Sequence, residues 1–524
     1  MSAAADTRAG VLSALDRVID PCSVGRHLPA GLVEMGMVES VELVDRGAVE
    51  IELQLTSPAC HFQHWFAERV QTEVAAVEGV DSVSITWSTA FDWSDDKMSD
   101  SLKARMRERR VAARGPRRCR GRRPTMADAP LAGLRVVEFG QLLAGPYVGT
   151  LLGDFGADVV KIEPPGSGDA MRDWGRLRHN DHSLWWSLLA RNKRSVTLNL
   201  RDPRGQQLAL RLLEDADVLV ENFRPGTMER WHLGPDEVHS VNPGVVYARV
   251  TGYGQTGRYR DRPGFASAGE AIGGLRYING YPDQAPPRSG ISLGDTLAAQ
   301  SAFQGILLAL YARDVRGAGG QVVDAAIADA CFAMLESAVV EYEKTGTVRE
   351  PSGTRLPRIA PSNVYQAKDG KWVVIAANHD TLWRRLATLM GHPEYGEDPR
   401  FDSHHTRGLN EDLLDEIIGE FAAKHTAAEL DDIVNAAGVV CAPVYTAQDI
   451  AEDEWFAERG LLVDHVDEVH GEMRATGVVP KLSGTPGGIR QAARWTLGAD
   501  TEAVLGELGI DGGELEQLRG AGVV

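Results

Sequence analysis

From Leu131 onward the chain alternates short apolar runs with segments of helical spacing, and this rhythm limits the possible folds more than any other feature. "LRVVEFG" reads as an apolar strand, "AGPYVGTLLGDFG" as a helix rich in small residues and "ADVVKIEPP" as a second strand. The strand "RSVTLNL", the helix "RGQQLALRLLEDA" and the strands "DVLVENF" and "VVYARVTGYG" continue the pattern. Runs that are apolar throughout, separated by helices, predict an α/β fold. Its centre is a doubly wound parallel sheet covered on both faces, with ligand beyond the carboxyl ends of the strands.

The nucleotide-binding versions of such a sheet lack their motifs here. Glu163 ends the second strand where a ribose-binding acid would stand, but the turn after the first strand, "FGQLLAGPYVG", has no G-x-G-x-x-G. No G-x-x-x-x-G-K-[ST] occurs either. Basic residues do gather near strand ends. "RNKRS" (191–195) precedes one strand, Arg201 closes "LNLR", and Asn222, Arg224 and Arg230 lie in "NFRPGTMERWHLG". A Gly/Pro-rich turn entering a helix presents N–H groups and cations to phosphates, so this surface suits a polyphosphate ligand. Taken alone, the turn reads first as a basic helix start making surface ion pairs; Arg201 and Lys193 in the neighbouring connection shift the balance toward a ligand.

The hundred residues before this body have a different pattern. Val11, Leu12, Leu15, Val18 and Ile19 keep helical spacing up to Pro21. "VESVELVD" and "AVEIELQLT" alternate as a hairpin, "HFQHWFAERVQTEVAAV" returns to helix and "VDSVSITW" gives a third strand. The expectation is a small α+β domain over 1–100. Residues 101–127 follow as a basic flexible linker: "SLKARMRERRVAARGPRRCRGRRP" has 11 Lys or Arg and one acid, in a chain of net charge −19. The run has no aromatic residue for stacking on bases, so no nucleic-acid partner is expected. No apolar stretch reaches 18 residues and the start lacks a signal-peptide core. Those features predict a cytoplasmic chain with no membrane partner.

"RSGISLGDTLAAQ" (288–300) holds two candidate nucleophiles. Ser292 satisfies G-x-S-x-G, yet the three prolines of "NGYPDQAPPRS" make a poor strand before Gly290, and an elbow needs one. No spacing ties Ser292 to His379, His404, His405 or His425. Asp295 precedes a convincing apolar helix, where local rules read it as an N-cap. A carboxylate at such a place can also serve as a covalent nucleophile, with Gly290 and Gly294 giving a substrate room.

Two resemblances sharpen this reading. The stretches "LAGLRVVEFGQLLAGPYVGTLLGDFGADVVKIEPPGSGD", "NKRSVTLNL", "ADVLVENFRPGTMER", "GYGQTG", "GISLGDTLAA" and "GADTEAVLGELG" resemble the class III CoA-transferases. The resemblance implies an interlocked homodimer, CoA and acyl-CoA as substrates, and no tightly bound cofactor. It also implies a large domain over 128–349 and 456–524 and a small one over 350–455. It places the nucleophile on Asp295, and CoA contacts on Leu143, Ala144, Leu198, Asn199, Leu200, Arg201, Asn222, Phe223, Arg224 and Arg230. The arginine that the family carries after the second strand is Pro164 here. "GEAIGGLRYINGYPDQAPPRSGISLGDTLAA" looks like the subgroup that moves CoA from succinyl-CoA to small dicarboxylates. Arg276 and Arg288 are then the cations for the acceptor's distal carboxylate. Acyl-CoA racemases of the same fold carry a His-Asp pair where this chain reads "RPGFASAGEAIGGLRY", without His. The other alternative is a non-enzymatic cluster carrier or scaffold. At the N-terminus, "DPCSVG", "LTSPACHF", "EGVDSVSITW" and "DKMSD" resemble iron–sulfur cluster assembly factors, with Cys60 at the family's metal or cluster position and Cys22 where an acid is usual. The remaining thiols, Cys331 and Cys441, read as structural.

Overall fold

The computed structural model describes residues 3–20, 29–44, 47–55, 63–88, 97–105 and 129–524. The chain divides into two compact units, Met1–Arg122 and Arg123–Val524.

The first unit has helix α1 (Ala3–Arg17), strands β1 (Val38–Val44) and β2 (Ala48–Leu53), helix α2 (Gln63–Ala75) and strand β3 (Ser82–Trp87). β1 and β2 form the antiparallel hairpin expected from their alternation, and β3 joins β2 in parallel. Alternate residues of β2 (Val49, Ile51, Leu53) turn inward to meet Phe66, Val70 and Val74, four residues apart on α2. Residues 100–105 add a helical turn that buries Leu102, and Arg105 donates to Glu34 at 2.8 Å. The packed unit thus runs past residue 101, where the sequence pattern had placed the start of the linker. Cys22, Cys60 and the basic run beyond Arg105 lie outside the described residues.

The second unit is built on β4 (Arg135–Glu138), α3 (Ala144–Asp154), β5 (Asp158–Glu163), β6 (Lys193–Thr197), α4 (Pro203–Glu214), β7 (Val218–Glu221), β8 (Val246–Thr251), α5 (Ala266–Ile272), α6 (Leu293–Arg316), β9 (Val322–Ala326) and α7 (Ile327–Phe332). The strands form one parallel sheet in the order β9-β8-β7-β4-β5-β6. Both faces are buried, which explains the unbroken apolar runs. Val136, Val218, Val220, Val246 and Ala248 face α3 and α6, while Val137, Leu219 and Tyr247 face α4. A smaller antiparallel sheet follows, made of β10 (Ser362–Gln366), β11 (Trp372–Ala376) and β12 (Val440–Pro443), with its own core around Trp383, Leu386 and Ile418. The chain then returns to the large sheet. Val504, Leu505, Leu515 and Leu518 join the layer under β4 and β5, and Asp500 Oδ2 accepts the Ser195 N–H at 2.9 Å.

Below the carboxyl ends of β4, β5 and β6, charge replaces apolar packing. The Glu138 carboxylate lies 2.7 Å from Lys161 Nζ and 2.8 Å from Lys193 Nζ, and Lys161 also reaches Asp169 at 2.7 Å. All four side chains are buried. Burial opposes the Lys161 charge, but Asp169 and Glu138 outweigh it and hold the ammonium protonated. Lys193, with fewer carboxylates near it, is pushed down by burial to about 8. A buried pair is costly to break, because the partner left behind stays charged and unsolvated. Glu138→Ala strands Lys193 and leaves Lys161 with Asp169 alone, and should lower unfolding stability by about 3–5 kcal/mol, read by chemical denaturation. A loss below about 1 kcal/mol, the level of a surface pair, would contradict this role.

Candidate active site

The sheet order reverses between β4 and β7, and such a switch point opens a crevice where the connections diverge to opposite faces. Asn222, just after β7, fastens it: its amide donates to the Gln141 carbonyl and accepts the Gln141 N–H, both at 2.9 Å. A Cβ on Gly145 would stand 3.0 Å from Asn222 Cγ, so this glycine makes room for the clasp. Beside it opens a cleft of about 1010 Å³. Leu198, Asn199, Leu200 and Arg201 line one side, and Phe223, Arg224 and Arg230 another. Seven of the ten residues assigned to CoA from the sequence therefore share this one cleft. The other three do not line it. Asn222 is the clasp, Ala144 is buried, and Leu143 is the half-buried residue preceding α3.

The cations sort differently from the expectation. In "RNKRS", Arg191 pairs with Asp154 at 2.6 Å, Lys193 with Glu138, and Arg194 with Asp158 and Glu507, each at 2.6 Å. None of these three is left for a phosphate. Arg201, Arg224 and Arg230 are exposed on the cleft, and none makes an ion pair among the described residues. Glu163 lines the cleft too, but its carboxylate is spent on Arg172 (2.7 and 2.8 Å) and on the Ser195 hydroxyl (2.7 Å). That is a physical reason against a ribose-binding role. Trp231, not singled out in the sequence, adds an aromatic wall and meets Phe223 edge-on with ring centres 5.0 Å apart. A lone Trp in a turn carries no sequence signal of its own.

Asp295 is not the helix cap that local rules suggest. α6 begins at Leu293, Ser292 occupies the cap position without a side-chain cap bond, and Asp295 is the third helical residue. Ser292 is engaged through its carbonyl, which accepts from Thr296, while His379 and His404 bond their own neighbours around β11. No charge-relay partner meets the serine among the described residues. α6 has 24 residues and so is about 36 Å long. It enters β9 after a short turn, so its start stands past the carboxyl edge of the sheet, the edge on which the cleft opens.

Three side chains surround the start of α6. Glu270 on α5 is 3% exposed; its Oε1 accepts the Gly294 N–H at 3.1 Å and its Oε2 the Arg276 guanidinium at 3.2 Å. A Cβ on Gly294 would lie 2.9 Å from Ile327 and 3.1 Å from Glu270 Cγ. This glycine thus makes room for protein packing, not for a substrate as the sequence suggested. Arg288 is exposed and faces Asp295 electrostatically. The Asp295 carboxylate accepts no hydrogen bond among the described residues. Burial first, and the Glu270 charge second, push it up to about 6, against the pull of Arg288. The same surroundings hold the Cys331 thiol up near 11, and Cys441 is raised likewise by burial, so both stay protonated and inert.

Residues 131–501 match the model of CoA-transferase family III. The chain belongs to that family. The family III body is 47% identical over 399 residues to succinyl-CoA–D-citramalate CoA-transferase of Chloroflexus aurantiacus, covering 75% of this chain and 98% of the relative. It is 29% identical over 396 residues to succinyl-CoA:glutarate CoA-transferase of Mus musculus, covering 75% and 90%. A CAIB/BAIF family protein from Brucella suis has the same fold, with TM-score 0.65 and 30% identity over 73% of this chain and 100% of that one. Residues 8–87 match the model of an iron-sulfur cluster assembly protein. This CoA-transferase thus carries a second, unrelated unit ahead of its catalytic body. Among the described residues no helix is long and apolar enough to cross a membrane. None of those residues form a group of three or more His, Cys, Asp or Glu able to hold a metal.

Proposed function

We propose that the protein transfers CoA from succinyl-CoA to a small dicarboxylic acid, with Asp295 as the covalent nucleophile. The observation that carries this is a half-buried carboxylate at the start of a helix, without hydrogen bonds among the described residues, on the sheet edge whose cleft bears three arginines unpaired among those residues. Unlike Ser292, it needs no base, because it is ionised above a pH of about 6. Asp295 attacks the thioester carbonyl, giving a succinyl–aspartyl anhydride and CoA thiolate. The thiolate attacks the aspartyl carbonyl, releasing succinate and leaving an aspartyl–CoA thioester. The acceptor carboxylate displaces CoA from that thioester, forming a second anhydride. The thiolate then opens this at the acceptor's carbonyl, yielding the new acyl-CoA and free Asp295. One thioester is consumed and one is made, so no ATP enters.

Arg201, Arg224 and Arg230 suit the phosphates of CoA, and the walls of Phe223 and Trp231 its adenine. With Arg276 engaged by Glu270, Arg288 is the guanidinium free to receive the acceptor's distal carboxylate. Succinyl-CoA as donor and a dicarboxylate as acceptor fit the relatives' names, which pair succinyl-CoA with citramalate or glutarate. Two copies of the chain, acting in the cytoplasm, complete this reading. α6 exposes Leu308, Tyr311 and Val315, and the helix Ala338–Thr345, after α7, exposes Val339, Val340 and Tyr342. An apolar surface of this kind marks a contact. A second copy covers it, and a single-chain mass in native mass spectrometry would contradict that.

Succinyl-CoA incubated with citramalate, malate, glutarate and acetate tests the reaction. Wild type should form the dicarboxylate thioesters in preference to acetyl-CoA. Asp295→Ala should lose at least about a thousandfold in rate, as expected for loss of a covalent nucleophile. Undiminished transfer by that variant would overturn the assignment.

A further inference from the structure

Glu270 and Arg276 lie next to the proposed nucleophile without being part of the transfer chemistry. Glu270 is buried on α5, and its two oxygens face in different directions. One takes the backbone N–H of Gly294, the residue immediately before Asp295, which a helix leaves without an intrahelical acceptor. The other takes Arg276, on the short helix Leu275–Ile278. Gly294 and Gly269 pack against Ile327, so α5, α6 and α7 meet closely around this carboxylate. A glutamate costs free energy to bury beside a second carboxylate. A glutamine would satisfy the same N–H without that cost.

We propose that Glu270 and Arg276 are a positioning pair: Glu270 anchors the first turn of α6 through Gly294, and its charge, moderated by Arg276, sets the basicity of Asp295. This rests on Asp295 being the nucleophile. A more basic carboxylate is a stronger nucleophile, and the resulting anhydride and thioester are then more evenly matched with the substrate thioester. The charged or titratable groups facing Asp295 are Glu270 on α5, Arg288 in the preceding loop and Cys331 on α7; Arg276 acts through Glu270. Cys331 stays neutral through the working range. The balance therefore lies between the Glu270–Arg276 pair and Arg288. The reading also removes Arg276 from the acceptor site and assigns it to the carboxylate beneath the nucleophile.

The test is the pH profile of donor kcat/KM for wild type, Glu270→Gln and Arg276→Gln, each at a temperature where circular dichroism shows it folded. The wild-type acid limb should fall near pH 6, because only the ionised Asp295 attacks. In Glu270→Gln the Gly294 N–H keeps an acceptor but the repelling charge is gone, so the limb should move to lower pH. It should stay above the ordinary carboxylate range, because burial, the larger cause, persists. Arg276→Gln leaves the Glu270 charge less compensated, and the limb should move to higher pH. Opposite shifts support the pair. A purely structural role would lower rates while leaving both limbs in place, and that result overturns the proposal. Asp295→Asn, measured alongside, separates the two levels. If it still transfers CoA, the nucleophile reading fails. If it is inactive while the limbs of the other two variants coincide with wild type, only the positioning pair fails.

Discussion

Two lysine ammonium groups share one buried carboxylate beneath the switch point of the sheet, and the surface above depends on that arrangement. Glu138 ends β4, Lys161 belongs to β5 and Lys193 opens β6, so a single glutamate ties three adjacent strands just below the cleft. Asp169 extends the network into the loop after β5, where its other oxygen accepts the Leu142 N–H at 2.9 Å. Such a cluster is poor value as bulk stabilisation compared with apolar packing, yet it is directional where apolar packing is not. It also uses up the cations that sit deepest. What remains for a ligand is the outer ring of Arg201, Arg224 and Arg230, which line the cleft without an ion-pair partner among the described residues.

At the start of α6 the electrostatics are reversed. Around Glu138 two cations meet one carboxylate; around Gly294 two carboxylates, Glu270 and Asp295, stand close with Arg276 on the buried one and Arg288 toward the exposed one. The Glu270 charge adds to burial in raising Asp295, against the pull of Arg288. Glu270 holds the Gly294 N–H and Arg276, whereas the Asp295 carboxylate accepts no hydrogen bond among the described residues. The serine three residues earlier stands at the helix start without a side-chain cap bond, and its carbonyl accepts from Thr296.

Much of this was legible in the sequence because it follows from periodicity and from residues near strand ends. The apolar runs "LRVVEF" and "VVYARV" announce strands buried on both faces, and "LNLR" and "NFR" fall on the same cleft because both follow parallel strands at one sheet edge. What was hidden needed three dimensions. The cations of "RNKRS" look free in a string of letters, but their partners Asp154, Glu138 and Glu507 stand 37 to 313 positions away in sequence. Glu270 gave no motif, and Gly294 suggested room for substrate where it makes room for Ile327. Local rules alone make Asp295 a cap, because a cap and a third helical residue share the same composition rule, and only the helix start at Leu293 tells them apart.

The central claim is that the acyl group and then CoA are carried on the Asp295 carboxylate. Mass spectrometry of enzyme mixed with succinyl-CoA, quenched with hydroxylamine and digested, tests it most directly. Hydroxylamine converts an aspartyl anhydride or thioester to a hydroxamate at the carbonyl that was activated. A hydroxamate on Asp295 is expected, dependent on succinyl-CoA and absent with free CoA. Modification of Ser292 or Cys331 instead, or an unmodified Asp295 during turnover, would contradict it.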